Sequence, residues 1–406
     1  MTTTTGGIRL SHRVQAIKPS STLAVTAKSK AMKAAGIDVV GFGAGEPDFD
    51  TPQFIKDAAK QALDQGKTKY EPTAGTIEAR KAVAEYMNAR HGFKVTADNV
   101  LFSVGGKHAL YVAFQCVLNP GDEVLLPAPY WVSYPEQARL AGATVREIGT
   151  SVDHAFTITA AQLEAAIGPK SRVLVLNSPG NPTGTMYTPA ELRAIEQVVL
   201  RHPNLLVFAD DIYERLVYGD EPFVSFASLS DEAFRQTVTF NCLSKAYAMT
   251  GWRIGYTVAD TSLIKAMDTL QGQMTSNITS FNFPAVVAAL SGPQDEVEVM
   301  RQAFAKRGEH IYQRLSALPG IKLPKPTGAF YVFPDVSAYF GKTDAAGRTI
   351  ETAAAFAESL LEQARVAVVP GEDFGGPNHV RFSFATSMEQ IDKGLDRFEE
   401  YLTTLK

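Results

Sequence analysis

Cysteines, uninterrupted apolar runs and excess charge are all scarce in this sequence. Only two cysteines, Cys116 and Cys242, occur among 406 residues, which excludes a disulfide framework and favours a reducing compartment. The longest stretch without a charged residue, 269–294, contains two prolines and many polar side chains, so it cannot span a bilayer. Residues 1–7 lack the apolar core of a signal peptide, and the cytoplasm is therefore the expected location.

The charge balance is close to neutral. Lys and Arg number 39 against 43 Asp and Glu, which gives a net charge of −4. Such a balance provides no basic surface for nucleic acid or for an acidic membrane, so neither is expected as a partner. Hydrophobic residues make up 45% of the chain and charged residues 20%, which are the proportions of an ordinary globular protein. The length favours two or three domains.

In the middle of the chain, short apolar runs alternate with amphipathic stretches. This alternation predicts an α/β fold with a mostly parallel sheet and helices on both faces. A helix is expected over 190–200, because Pro189 suits a first helical position. The predicted strands are Val100–Val104, Glu123–Leu126, Arg172–Leu176, Leu205–Ala209 and Val238–Asn241.

The C-terminal third mixes strands and helices in a different order. This order predicts a smaller α+β domain, with a boundary between residues 285 and 305. The predicted elements are helices over 294–318, 349–364 and 388–405, and strands over 366–369 and 379–384.

Chemically active side chains directly follow the predicted strands. Ligands of open α/β sheets bind outside the carboxyl ends of the strands, so these side chains are expected to meet at one edge and form a site. The segments concerned are Gly105-Gly106-Lys107, Pro129-Tyr130-Trp131, Asn177–Gly184, Asp210–Tyr213 and Ser244-Lys245.

With these segments the chain resembles the fold-type I pyridoxal-phosphate (PLP) enzymes, specifically the class I aminotransferases. It is most similar to their prokaryotic aspartate and aspartate/prephenate aminotransferase subgroup. Nine segments in family order carry a specific resemblance over essentially the whole chain. They are Val14–Ser20, Gly45–Phe49, Lys69-Tyr70, Val104–Lys107, Tyr130–Pro135, Asn181–Gly184, Asp210–Glu214, Ser244–Tyr256 and Val380-Arg381.

The resemblance also implies an architecture. We expect a large PLP-binding domain with a mostly parallel seven-stranded sheet, and a smaller α+β domain built from both termini. The implied ranges are 1–50 for an N-terminal arm and part of the small domain, 51–295 for the large domain and 296–406 for the small C-terminal domain. The resemblance further implies a homodimer with shared active sites.

Several cofactor contacts follow from the same resemblance. Lys245 matches the lysine that holds PLP as a Schiff base and moves the proton during transamination, tasks that suit an amine nucleophile. Arg253 matches the arginine that binds the PLP phosphate, helped by the amides of Gly105, Gly106 and Lys107 at a helix N-terminus. No metal is expected.

Further residues match contacts to the pyridine ring. Asp210 would pair with the ring nitrogen and keep the ring cationic. Asn181 and Tyr213 would bond the phenolate oxygen and lower the imine pKa, while Trp131 would stack on the ring. The remaining matched contacts are Ser244, and Tyr70, which would reach the phosphate of the neighbouring subunit.

The implied substrate site uses a guanidinium and a backbone amide. Arg381 matches the arginine that binds the α-carboxylate through two parallel hydrogen bonds, and Gly45 brings a backbone amide to the same substrate. No arginine occurs between Arg253 and Arg301, so a second arginine for a distal carboxylate is missing there. Relatives with this pattern use a lysine and a threonine that match Lys107 and Thr22. Trp131 and Asn181 also belong to the implied substrate site.

The implied reaction is transfer of an amino group from L-aspartate to 2-oxoglutarate by a ping-pong cycle, with prephenate as an additional acceptor. Aminotransfer with aromatic or neutral amino acids, or a β-lyase reaction, remains open because such relatives share the lysine site. Simpler structural roles also remain open for Asp210 as a helix cap, Asn181 as a turn residue, Trp131 in the core and Lys107 at the phosphate site. Cys242 and Ile278 depart from the family pattern.

Overall fold

The computed structural model describes residues 4–5, 8–19 and 21–406. Ser20 and most of residues 1–7, to which two of the predictions refer, lie outside the described residues. The helices are α1 His12–Gln15, α2 Ser21–Ala34, α3 Gln53–Asp64, α4 Ile77–His91, α5 Gly106–Val117, α6 Ser133–Leu140, α7 Ala160–Ala166, α8 Pro189–Val199, α9 Asp231–Arg235, α10 Thr261–Gly272, α11 Asn282–Ser291, α12 Asp295–Ser316, α13 Ala353–Ala364 and α14 Met388–Thr404. The strands are β1 Thr4–Thr5, β2 Ile8–Arg9, β3 Val40–Gly41, β4 Val100–Val104, β5 Glu123–Ala128, β6 Thr144–Gly149, β7 Ser171–Asn177, β8 Leu206–Asp210, β9 Thr237–Cys242, β10 Ile254–Val258, β11 Tyr331–Val332, β12 Val366–Ala367, β13 Val369–Pro370 and β14 Val380–Ser383.

Seven strands form the main sheet, in the order β4-β10-β9-β8-β7-β5-β6. Strand β10 runs antiparallel to both of its neighbours, and the other pairs are parallel. The mostly parallel seven-stranded sheet is therefore confirmed. Because parallel strands end at the same edge, the residues after β5, β7, β8 and β9 come together there.

Strand β7 shows why its sequence reads as a continuous apolar run. Val173 and Val175 pack into the core on one face of the sheet, while Leu174 and Leu176 pack into the core on the other. Successive side chains of a strand point to opposite faces, so a strand covered by helices on both faces must be apolar at every position. The alternation of short apolar runs with amphipathic stretches predicted this burial on both faces of the sheet.

The termini combine into the smaller α+β unit. Strand β3 from the N-terminal part pairs in parallel with β12 from the C-terminal part, and β11, β14 and β13 form an antiparallel sheet. One apolar core joins residues of β3 with residues of α12, α13 and α14. The fold class is confirmed, whereas the residue ranges of the two domains stay predictions.

Local signals explain where the elements begin and end. Helix α8 begins at Pro189 as predicted, after a reciprocal capping arrangement in which Thr188 and Glu191 each bond the other's backbone amide. Helix α13 begins at Ala353 rather than at residue 349, because the Thr352 hydroxyl accepts from the Ala355 amide at 3.1 Å. Strand β5 runs past its predicted end through Pro127, a residue that lies beyond the pairing with β7.

Within residues 4–5, 8–19 and 21–406, no helix is long and apolar enough to cross a membrane.

Candidate active site

A cavity of about 400 Å³ lies at the carboxyl edge of the main sheet, where strands β7, β8 and β9 end. Most of the residues predicted from the sequence line it, although they come from distant parts of the chain. These are Thr22, Gly45, Gly106, Lys107, Trp131, Asn181, Asp210, Tyr213, Ser244, Lys245, Arg253 and Arg381. The structure therefore brings these predicted residues to a single site.

Lys245 enters this cavity from the segment that follows β9. Its Nζ donates a hydrogen bond to the Gly45 carbonyl at 2.6 Å. The aromatic rings of Tyr213 and Phe330 lie 5.9 and 5.8 Å from the same nitrogen. The amine is thus held by one carbonyl, has two aromatic rings nearby and lines the cavity.

Asp210 ends strand β8 and is buried. One carboxylate oxygen accepts a bond of 2.5 Å from the Tyr134 hydroxyl, whereas Oδ1 has no partner among the described residues. Burial raises the pKa of Asp210 to about 6, although the bonds from Tyr134 and the Ile212 amide and the charge of Lys245 oppose this rise. A buried oxygen without a partner is costly unless a donor from a ligand completes it.

A tight backbone turn joins β4 to α5 beside Arg253. Gly105 has a φ of +81° there, and a Cβ on it would lie 2.9 Å from the Cζ of Arg253. Gly255 faces the same turn, and a Cβ on it would collide with the backbone of Gly105 and Gly106. The Gly105 amide itself donates to the Ser103 carbonyl at 2.7 Å, so the helix start offers the amides of Gly106 and Lys107 for an anion.

Arg381 lies on β14 and is almost completely buried. Its Nη1 donates to Asn181 Oδ1 and its Nη2 to the Gly43 carbonyl, each at 2.9 Å. The Nε atom has no partner among the described residues. The guanidinium is 4.6 Å from the ring centroid of Tyr331. A buried guanidinium with a free donor is suited to bind a carboxylate.

Lys107 and Thr22 lie on the same cavity from different helices. The Nζ of Lys107 is 4.9 Å from the ring centroid of Trp131, and burial together with the charges of Arg253 and Lys245 lowers its pKa. The hydroxyl oxygen of Thr22 on α2 is buried and has no partner in the described part of the chain. Trp131 lines the cavity and also packs against the apolar core, so its two proposed roles are compatible.

Tyr213 and Gly45 meet at Tyr331. The hydroxyls of Tyr213 and Tyr331 are 3.0 Å apart, and burial raises the pKa of Tyr213. A Cβ on Gly45 would lie 2.9 Å from the Tyr331 hydroxyl. A glycine is therefore needed where the chain passes this phenol.

Three residues of the site were given no role of their own by the sequence, although Asn177 lies in the predicted segment Asn177–Gly184 and Tyr134 in the resembling segment Tyr130–Pro135. Tyr134 bonds Asp210, Tyr331 bonds Tyr213, and Asn177 bonds both the Asn181 amide and the Asp210 carbonyl. Asn177 follows a predicted strand, which was a usable signal. Nothing in the local sequence places Tyr331 near Tyr213, because 118 residues separate them.

Three further residues that the sequence analysis named, Tyr70, Cys242 and Ile278, differ in how far they are buried. Tyr70 is 91% exposed and does not line the cavity. Cys242 is buried beside the cavity, and burial raises the pKa of its thiol. Ile278 is buried in the core beside the sheet. No group of three or more His, Cys, Asp or Glu able to hold a metal occurs in the described ranges.

Comparison with known proteins shows which family this chain resembles. The profile of the family described as aminotransferase class I and II matches residues 37–398. The aspartate aminotransferase of Bacillus sp. (strain YM-2) is 46% identical over 97% of this chain and 99% of that protein. The aspartate/prephenate aminotransferase of Cereibacter sphaeroides is 46% identical over 98% of this chain and 99% of its own.

Solved structures agree with these sequence relatives. The aspartate aminotransferase from Rhizobium meliloti superimposes with a TM-score of 0.95 at 40% identity, covering 98% of this chain and 100% of that one. The Thermus thermophilus aspartate aminotransferase with maleate gives a TM-score of 0.90 at 43% identity, covering 97% and 99%.

The sheet, with a lysine, an aspartate and an arginine at its carboxyl edge, defines an enzyme of the PLP-dependent transaminase class. The chain belongs to the class I and II aminotransferase family. Members of this family use PLP and act on amino acids and 2-oxo acids, so the predicted class, cofactor and kind of substrate are confirmed. The residues present fit PLP, because Asp210 Oδ1 lacks a partner within the described part of the chain, and Gly105 and Gly255 keep the turn beside Arg253 open.

Proposed function

We propose that this protein transfers the amino group of L-aspartate to 2-oxoglutarate, forming oxaloacetate and L-glutamate, and that prephenate is a further amino acceptor. The observation that carries the proposal is the meeting of Lys245, Asp210, Arg381 and Lys107 around one cavity. Relatives at 46% identity over nearly their whole length are named for aspartate or for aspartate and prephenate.

Three side chains and the first amides of α5 would hold the cofactor in this proposal. Lys245 supplies the covalent link, Arg253 and the amides at the start of α5 bind the phosphate, and Asp210 receives the ring nitrogen on its free oxygen. When bound, PLP supplies an electron sink that stabilises negative charge on the substrate Cα. The buried carboxylate of Asp210 favours the protonated ring nitrogen because a buried charge is stabilised by an opposite one.

Lys245 also moves the proton. Its flexible stem carries an amine that the Gly45 carbonyl holds at 2.6 Å, and a lysine released from its covalent link can act as a general base. The ring centroids of Tyr213 and Phe330 lie 5.9 and 5.8 Å from this nitrogen. A base held in place in this way loses little freedom when the proton is transferred.

Substrate orientation would depend on Arg381. Its free Nε and the forked geometry of the guanidinium suit two parallel bonds to the α-carboxylate. Asn181, which is proposed to bind the cofactor, accepts a hydrogen bond from the same guanidinium. This bond therefore links the substrate site to the cofactor site. Lys107, with Thr22, provides the charge and the hydroxyl for the distal carboxylate. The Thermus relative was solved with maleate, which is a dicarboxylate.

The test compares kcat/KM for aspartate and for phenylalanine in the wild type and in Lys107→Ala. A single ammonium selects a carboxylate without fixing its position. We therefore expect the aspartate value to fall at least ten-fold, about 1.4 kcal/mol, while the phenylalanine value changes little. Lys107→Arg keeps the charge and should recover part of the activity with aspartate. An equal fall for both substrates would show that Lys107 serves the cofactor and would remove the support for dicarboxylate specificity.

Two further proposals concern the assembly and the location. A homodimer would place the exposed Tyr70 of one subunit at the cofactor phosphate of the other, which fits its 91% exposure in the single chain. The reducing environment inferred from the two free cysteines favours the cytoplasm.

A further inference from the structure

Asn177 joins the ends of two neighbouring strands. It is the last residue of β7 and lies directly opposite Asp210, the last residue of β8, in the parallel ladder. Its Oδ1 accepts from the Asn181 amide at 2.8 Å, and its Nδ2 donates to the Asp210 main-chain carbonyl at 2.9 Å. One side-chain amide therefore connects the backbone of both residues that are proposed to bind the pyridine ring.

This part of the backbone borders two cavities. Asn177 and Asn181 line the active-site cavity on one side and a smaller cavity of about 30 Å³ on the other. Residues that border a cavity have packing contacts on fewer sides than residues of a filled core. The two hydrogen bonds of Asn177 supply directional contacts at this place.

The residues that Asn177 holds have precise tasks. Asp210 already uses one carboxylate oxygen for Tyr134, so only Oδ1 remains for a ligand. Asn181 accepts from Arg381 through its side-chain oxygen. Small displacements of groups that bind a reacting molecule cost affinity and rate, and positioning contacts prevent them.

We infer that Asn177 is a positioning residue for the cofactor, which holds the Asp210 carboxylate and the Asn181 side chain at their working separation. The inference rests on the proposed function, because it assumes that both residues bind PLP. Asn177 acts through these two residues and takes no part in the reaction itself.

Three variants separate positioning from general stability. Asn177→Leu keeps the branched shape of the side chain and removes both hydrogen bonds, whereas Asn177→Asp keeps the acceptor and loses the donor. Ser178→Ala is the matched control, because Ser178 is the next residue and its buried hydroxyl accepts from the Tyr187 amide at 3.1 Å. That bond involves neither Asp210 nor Asn181.

Two readouts are taken on purified chains. The first is the affinity of the cofactor-free chain for PLP, measured by equilibrium dialysis. The second is the pH midpoint at which the visible absorption of the bound cofactor changes. Asn177→Leu should bind PLP at least about ten-fold more weakly, since two hydrogen bonds are lost, and its midpoint should rise because Asn181 no longer favours the unprotonated form. Ser178→Ala should match the wild type in both.

The outcomes are decisive in either direction. Equal affinities and midpoints in Asn177→Leu and the wild type would overturn the inference, as would equal losses in Asn177→Leu and Ser178→Ala. If Asn177→Leu does not fold, Asn177→Asp decides, with at least five-fold weaker binding at pH 8 expected and wild-type binding contradicting the inference. Failure of the wild-type chain to bind PLP would instead contradict the proposed function.

Discussion

The charge of Asp210 depends strongly on its surroundings. Its carboxylate is buried, and burial raises its pKa from 3.8 to about 6 despite the bond from Tyr134. In the cofactor-free chain the buried charge therefore lowers stability. The pKa of Asp210 is higher in the folded chain than in the unfolded chain. The contribution of this carboxyl to the free energy of unfolding is therefore fully present below pH 3.8 and is lost as the pH rises through 6. A bound ring cation would remove this penalty.

Asp210→Asn should accordingly change stability in opposite ways with and without cofactor. In the cofactor-free chain at pH 8, we expect the variant to be more stable by on the order of 2–3 kcal/mol, since a difference of one in pKa corresponds to about 1.4 kcal/mol. At pH 4 the difference should nearly vanish, because both chains are then neutral at this position. Urea unfolding at the two pH values measures it. An identical difference at both would show that the carboxylate is not destabilised by burial. With PLP present, the variant should bind the cofactor more weakly.

At the same scale, the sequence identified the residues proposed to bind cofactor and substrate, but it did not identify the residues that form hydrogen bonds with them. Lys245, Asp210 and Arg381 are recognisable from motifs, because each is embedded in a segment of fixed spacing. Tyr134 and Tyr331 bond Asp210 and Tyr213 across 76 and 118 residues of chain. Such partners depend on how strands and domains are placed in space, which local sequence does not specify.

At the scale of elements, the turn between β4 and α5 sets the cofactor site. Strand β10 lies beside β4, and Gly255 is paired with Ser103 two residues before Gly105. The close approach of Gly255 to the backbone of Gly105 and Gly106 leaves no space for a side chain. The positions of Arg253 and of the first amides of α5 therefore depend on a glycine in a neighbouring strand.

Gly255→Ala should test this dependence. The added methyl collides with backbone rather than with a movable side chain, so the turn must shift. We expect a loss of about 1–3 kcal/mol in unfolding free energy and at least ten-fold weaker retention of PLP. Gly251→Ala is the matched control, because a Cβ there meets open space, and it should behave as the wild type. Equal retention of PLP by both variants would contradict the account.

The helices and strands could be predicted from the sequence where their own residues determine where they begin and what they pack against. Strand β7 is apolar on both faces because helices cover both, and α8 begins at Pro189 because Thr188 and Glu191 cap it. The antiparallel direction of β10 was not predicted. It depends on the path of the chain between distant strands rather than on the composition of β10 itself.

At the scale of the whole molecule, the proposed homodimer predicts a specific complementation. A complete site would need Lys245 and Arg381 from one subunit and Tyr70 from the other. Mixing Lys245→Ala chains with Tyr70→Phe chains should restore one complete site per mixed dimer. Mixing Lys245→Ala with Arg381→Ala should restore little, because both residues belong to one subunit's site. Activity after refolding the mixtures is the measurement, and equal recovery in the two mixtures would rule out the shared site.

The central claim is that Lys245 carries the cofactor. The most direct measurement is reduction of the PLP-loaded enzyme with borohydride, followed by proteolysis and mass spectrometry. Reduction makes a lysine–cofactor link permanent, and we predict one reduced cofactor per chain, on the peptide that contains Lys245. The same treatment of Lys245→Ala should leave this peptide unlabelled, and transamination should be negligible. Stoichiometric label on another lysine of the wild-type chain, or no label at all, would contradict the account.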